Sequence, residues 1–94
     1  MAHSDRIMFE IYREADYARQ YRVVFFTELD EHNKEQEINR AMAGEYYYDG
    51  FITNRSRERA KAVIGRVLDR LNGGEPVATD EIDTLLAAAE QSDS

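Results

Sequence analysis

The sequence predicts a mainly α, small single domain of three or four helices, with an aromatic turn or hairpin segment at residues 45–53. Three observations carry this expectation. Apolar residues recur at 3–4 spacing in the second half of the chain, glycine and proline punctuate that pattern, and neither residue interrupts positions 1–43. The alternative is an α+β domain with a small antiparallel sheet, its strands drawn from residues 6–13, 21–28 and 46–53.

The N-terminal third reads as a helix from about residue 5 to 29. Ile7, Met8, Ile11, Ala15, Ala18, Phe25, Phe26 and Leu29 share one stripe, broken by Arg22. Against this, "YRVVFFTE" is β-branched and aromatic, and "RIMFEIY" supplies a hairpin partner turning at "READYA". Such strands carry apolar residues on both faces and so need cover on both. Next, "DEHNKEQEINRAMAG" reads as a surface helix with Ile38, Ala41 and Met42 on its contact edge and Gly44 as its stop.

In "GEYYYDGFITN" the Asp49-Gly50 pair is a turn signal between Tyr46–Tyr48 and Phe51–Thr53. Phe51 and Ile52 are expected to plug the core, while the tyrosines lay their rings over helix ends and keep their hydroxyls wet. The clearest helix follows, from about residue 55 to 72. Ala60, Val63, Ile64, Val67, Leu68 and Leu71 form its buried face, Asn54 or Ser56 its cap, and Asn72-Gly73-Gly74 with Pro76 its stop. The last helix, "ATDEIDTLLAAAEQ", has Thr79 as cap, Asp80 and Glu81 in its first turn, and Ile82, Leu85, Leu86 and Ala89 on its apolar face. Residues 1–4 and 91–94 are expected to fray.

Ninety-four residues with 43% hydrophobic and 33% charged composition make one domain, residues 1–94, too rich in core-formers for intrinsic disorder. No cysteine is present, which excludes a disulfide framework and thiolate metal sites and fits a cytoplasmic protein. No apolar run is long enough to span a membrane, and "MAHSDRIMFE" does not read as a signal peptide. The net charge of −7 is unevenly spread: residues 28–49 carry −5, residues 50–72 carry +4, and residues 73–94 carry −6 with no basic side chain.

Three constellations are candidate sites. Tyr46, Tyr47, Tyr48 and Phe51 gather beside a turn, in the manner of an association hot spot. Arg55, Arg59, Arg66 and Arg70 fall in one stripe about 60° wide beside the apolar face of their helix, where they can meet an anion or an acidic partner. Glu28, Glu31, His32 and Glu35 share a face if their segment is helical, a ligand set for a divalent metal. The di-metal bundle spacing Glu-x-x-His is not met, since Glu28 to His32 is one residue too far.

Nucleophilic catalysis has little to draw on. There is no Cys, no Gly-x-Ser-x-Gly, no phosphate-binding loop, and His32 is the one internal histidine. The expected function is a small non-catalytic interaction or regulatory module, self-associating as a homodimer or binding another protein, with no cofactor. One alternative is a metal-binding protein or metal-dependent enzyme built on the acidic face around His32. Another is a nucleic-acid-related role, through the arginine row or as an acidic mimic, although the overall acidity argues against direct nucleic-acid binding.

Overall fold

In the computed structural model, which describes residues 6–29 and 31–91, the chain between Arg6 and Phe25 runs as two antiparallel strands rather than one helix. Strand β1 spans Arg6–Arg13 and β2 spans Tyr21–Phe25, in the register Phe9 to Phe25, Ile11 to Val23 and Arg13 to Tyr21. The period is two: Ile7, Phe9 and Ile11 are buried, while Arg6 and Met8, which alternate with them, are exposed. The helical stripe left out Phe9, which is 0% exposed.

The hairpin is turned without glycine or proline. The amide of Ala18 donates to Asp16 Oδ1 at 3.0 Å, a local side-chain turn, and that of Arg19 donates to the Asp16 carbonyl at 3.2 Å. Arg19 takes φ 49°, the left-handed region, and the Glu14 amide closes the loop on the Gln20 carbonyl at 2.9 Å. Buried Glu14 accepts from Arg22 Nη1 at 3.0 Å, which pairs a carboxylate that would be costly to bury alone.

Strand β3, Glu45–Thr53, completes an antiparallel sheet of order β2-β1-β3. With it come three helices, α1 Lys34–Ala43, α2 Arg57–Asn72 and α3 Thr79–Gln91, and one short 3-10 turn at Phe26–Glu28. The mainly α expectation is corrected: the fold is α+β, 49% helical and 26% strand, with strands close to those of the alternative reading. A helix content above a third therefore does not by itself separate the two folds. The strand content does.

The hairpin expected inside residues 45–53 is likewise one continuous strand, with Asp49-Gly50 in its middle. Gly50 does not turn the chain, and a Cβ there would make ordinary contact, 3.5 Å from both the Phe9 and Tyr48 rings. Alternation places Phe51 and Ile52 on opposite faces, so Ile52 is buried and Phe51 is exposed.

The chain divides into two compact units, one of residues 8–50 and the other of residues 51–91 with Arg6 and Ile7. In the first, helix α1 lies on β2, and Tyr12, Val24 and Ala41 form a buried cluster with Phe26 and Leu29 packed against it. Phe9 sits between the rings of Phe25 and Tyr48, 5.9 Å from each. Of the expected edge of α1, Ala41 is buried and Ile38 half-buried, while Met42 is 77% exposed.

In the second unit α2 packs on α3, burying Ala60, Val63, Ile64, Val67 and Leu71 from one and Ile82, Leu86 and Ala89 from the other. Full burial of each large aliphatic chain contributes about 1.5–3 kcal/mol. Leu68 and Leu85, expected on those faces, are half-buried. The stop of α2 forms as the sequence implies: Glu75 donates its amide to the Arg70 carbonyl at 2.9 Å, and Gly74 takes φ +90°. Ser56 precedes α2 at the cap position, but its hydroxyl lies 2.8 Å from that of Thr53 and makes no capping bond. The fraying expected at the ends lies outside the described residues except for Gln91, which closes α3.

Candidate interaction surface

Strand β3 forms because Tyr, Phe, Ile and Thr suit a pleated, half-buried surface, and because Gly44 ends α1 where the next strand must start. Among the described residues it lies at an edge of the sheet, with β1 as its one neighbour strand. Tyr46 is 63% and Phe51 53% exposed, Tyr47 and Tyr48 are half-buried, and Glu45 and Asp49 are exposed. The four aromatics named from the sequence thus share one strand but play two roles. Tyr48 packs on Phe9, and Tyr47 meets Tyr21 edge-on at 5.4 Å, in a stack that also has the Arg13 guanidinium 5.8 Å from the Tyr21 ring. Burial raises the Tyr47 hydroxyl pKa above the ordinary tyrosine value, and Tyr21 adds to the shift.

The two outward aromatics are braced by polar neighbours. The Tyr46 hydroxyl donates to Asp49 Oδ1 at 3.0 Å, which raises its pKa. The Arg6 guanidinium lies 5.3 Å from the centre of the Phe51 ring. Sequence reasoning missed Arg6. The signal was the period-two polar face of β1, with Arg6, Met8 and Glu10 alternating with buried residues.

Glu10 belongs to the same missed face. Desolvation by burial raises its pKa, and the Asp49 charge raises it further. A carboxyl whose folded pKa lies above its unfolded value binds the proton more tightly when folded, so its contribution lowers stability as pH rises through that window. The window opens at the ordinary carboxyl value of 4.5 and ends above the raised one. Asp49→Asn is expected to bring the Glu10 midpoint closer to 4.5, with burial keeping it above, as followed by the Glu10 side-chain carbon shift in a pH titration. An unchanged midpoint would remove Asp49 as a cause.

Three of the four arginines of the row, Arg59, Arg66 and Arg70, lie on α2. Arg55 lies in the turn before α2, and Arg59 donates from Nε to the Ala89 carbonyl at 3.1 Å, reaching the last turn of α3. Arg70 makes 2.7 Å ion pairs with Glu75 and Glu81, hydrogen bonds that raise its pKa and commit it to the α2–α3 connection. Arg66 is exposed.

The proposed metal face lacks its premise, a continuous helix. Glu28 ends the 3-10 turn, Leu29 is extended at ψ 135°, Glu31 and His32 lie in a turn, and Glu35 is in the first turn of α1. Among the described residues no three His, Cys, Asp or Glu side chains are grouped to hold a metal ion.

One polar network was not foreseen. Thr53 donates its hydroxyl to Glu90 Oε1 at 3.0 Å and its amide to Glu90 Oε2 at 3.3 Å, beside buried Ser56. It ties the end of β3 to the end of α3, which are far apart in sequence and share no local signal. Among the described residues no helix is long and apolar enough to cross a membrane. No family model matches the chain, and neither a curated protein nor a solved structure was found to be similar to it.

Proposed function

We propose that the protein is a small non-catalytic interaction or regulatory module that associates with a second copy of itself through β3. The observation that supports this is the exposure of Tyr46 and Phe51 along a nine-residue edge strand. An edge strand offers main-chain groups to a further strand, and large aromatics beside it supply the desolvated anchors that dominate association energy. Strand β3 holds neither proline nor lysine, two residues that commonly block such pairing, and its exposed charges are Glu45 and Asp49. Two copies pairing antiparallel about a two-fold axis extend the sheet continuously and set Tyr46 on one face and Phe51 on the other beside the partner strand.

Static light scattering tests the reading. A mass of two chains is expected at micromolar concentration, against 10.9 kDa for one. Tyr46→Ala and Phe51→Ala, both at exposed positions, should each weaken the dimer by about tenfold or more without unfolding it. Tyr47→Ala and Tyr48→Ala carry a folding cost as well, because their rings pack on Tyr21 and Phe9. A single-chain mass at high concentration removes the reading, and a dimer indifferent to Tyr46 and Phe51 removes β3 from it.

A further inference from the structure

Helices α2 and α3 leave a groove of about 450 Å³ between them, lined by Arg59, Ala62, Val63, Arg66, Leu85 and Ala88, with Ala89 at its floor. The α2 residues stand at i, i+3, i+4 and i+7, and those of α3 at i, i+3 and i+4, so the groove follows α2 for about two turns and α3 for about one. Its small rim residues, Ala62 and Ala88, are exposed, and Leu85 is half-buried. Two helices packed this way are two-thirds of a three-helix arrangement, and alanine walls let a third backbone come close. The charges at its edge have one sign. Arg59 and Arg66 stand about 10 Å apart along α2, in a chain whose net charge is −7. The Arg59 bond to the Ala89 carbonyl fixes its side chain across the two helices at one end.

We infer that this groove receives an amphipathic helix of a partner protein, its apolar stripe on Val63, Leu85 and Ala89 and its acidic flank against Arg59 and Arg66. Charge selects the occupant: a basic helix meets two guanidinium groups, whereas carboxylates two turns apart meet both. The acidic remainder of the surface repels the same helix and so confines it to this face. The surface is distinct from β3, so its test does not depend on self-association.

The probe is a fluorescein-labelled helical peptide of about 15 residues, with leucines at 3–4 spacing and glutamates flanking them, read by anisotropy. A second peptide has lysine at every glutamate. The acidic peptide is expected to bind and the basic one not. Arg66→Glu should weaken binding by about tenfold or more, and Ala88→Tyr, which fills the groove without changing charge, should abolish it. Both positions are exposed, and an unchanged circular dichroism melt verifies that each variant folds. No binding of the acidic peptide, equal binding of the basic one, or indifference to either substitution overturns the inference. Tighter binding of oleate at the same groove overturns it too, in favour of a small amphiphilic anion.

Discussion

Phe9→Ala is expected to cost about 3–5 kcal/mol, the range for an aromatic ring truncated inside a packed core. Phe9 is 0% exposed and lies 5.9 Å from both the Phe25 and Tyr48 rings. The cavity cannot collapse easily, because the neighbouring rings are held by strands on either side of β1. A chain of this size has about 5–14 kcal/mol of total stability, so the variant should be only marginally folded. Urea unfolding measures the loss. Tyr17→Ala in the hairpin loop, where the side chain is 98% exposed, should stay within about 0.5 kcal/mol. Met8→Ala adds a test of phase, because a helix would bury Met8 and leave Phe9 on its flank, whereas the strand does the reverse. A larger loss at Met8 than at Phe9 would overturn the strand assignment.

That reversal explains which parts of the fold were legible. Helices α2 and α3 were plain because several signals agreed: apolar spacing, acidic first turns, and a Gly-Gly-x-Pro stop. In residues 6–25 the signals conflicted. Ile7 and Ile11 fit a helical stripe and a strand alternation equally, since spacings of four satisfy both periods. Val23, Val24 and Phe25 favoured a strand, but no turn residue marked the reversal. The turn rests on the Asp16 side chain and on an arginine in the left-handed region, a conformation few non-glycine residues adopt and no spacing rule announces. At Asp49-Gly50 the opposite happened: a strong turn dipeptide lies inside a continuous strand, which the flanking Tyr, Phe and Ile residues favour.

The surface was legible in part for the same reason. Exposure of Phe51 and burial of Ile52 depend on strand phase, which a turn assignment does not define. Helical phase alone grouped Glu28 with His32 and Arg55 with Arg70. With Leu29 extended, the first grouping has no continuous helix to share, and Arg55 precedes the helix that carries the other three arginines. The groove on α2 and α3 needs the packing of two helices, which no single helical pattern contains.

Gly44→Ala is expected to destabilise by about 1–3 kcal/mol, the cost of overpacking at a site that cannot yield. Its backbone, φ −84° and ψ −177°, is extended and open to alanine, so conformational freedom is not what requires glycine. Contact is. A Cβ would stand 2.4 Å from the Arg13 carbonyl oxygen and 2.9 Å from Tyr12 Cδ2. The first is backbone of β1 and the second belongs to a fully buried ring, so neither can swing aside. Gly65→Ala in the middle of α2 is the counterpart. Nothing stands within 4 Å of its Cβ position, and alanine there gains about 0.4–1 kcal/mol by narrowing the unfolded ensemble and favouring the helix. Two Gly→Ala changes on one chain should therefore move the denaturation midpoint in opposite directions. A stabilised Gly44→Ala would mean that α1 does not hand over to β3 against the end of β1, and the sheet order would fall with it.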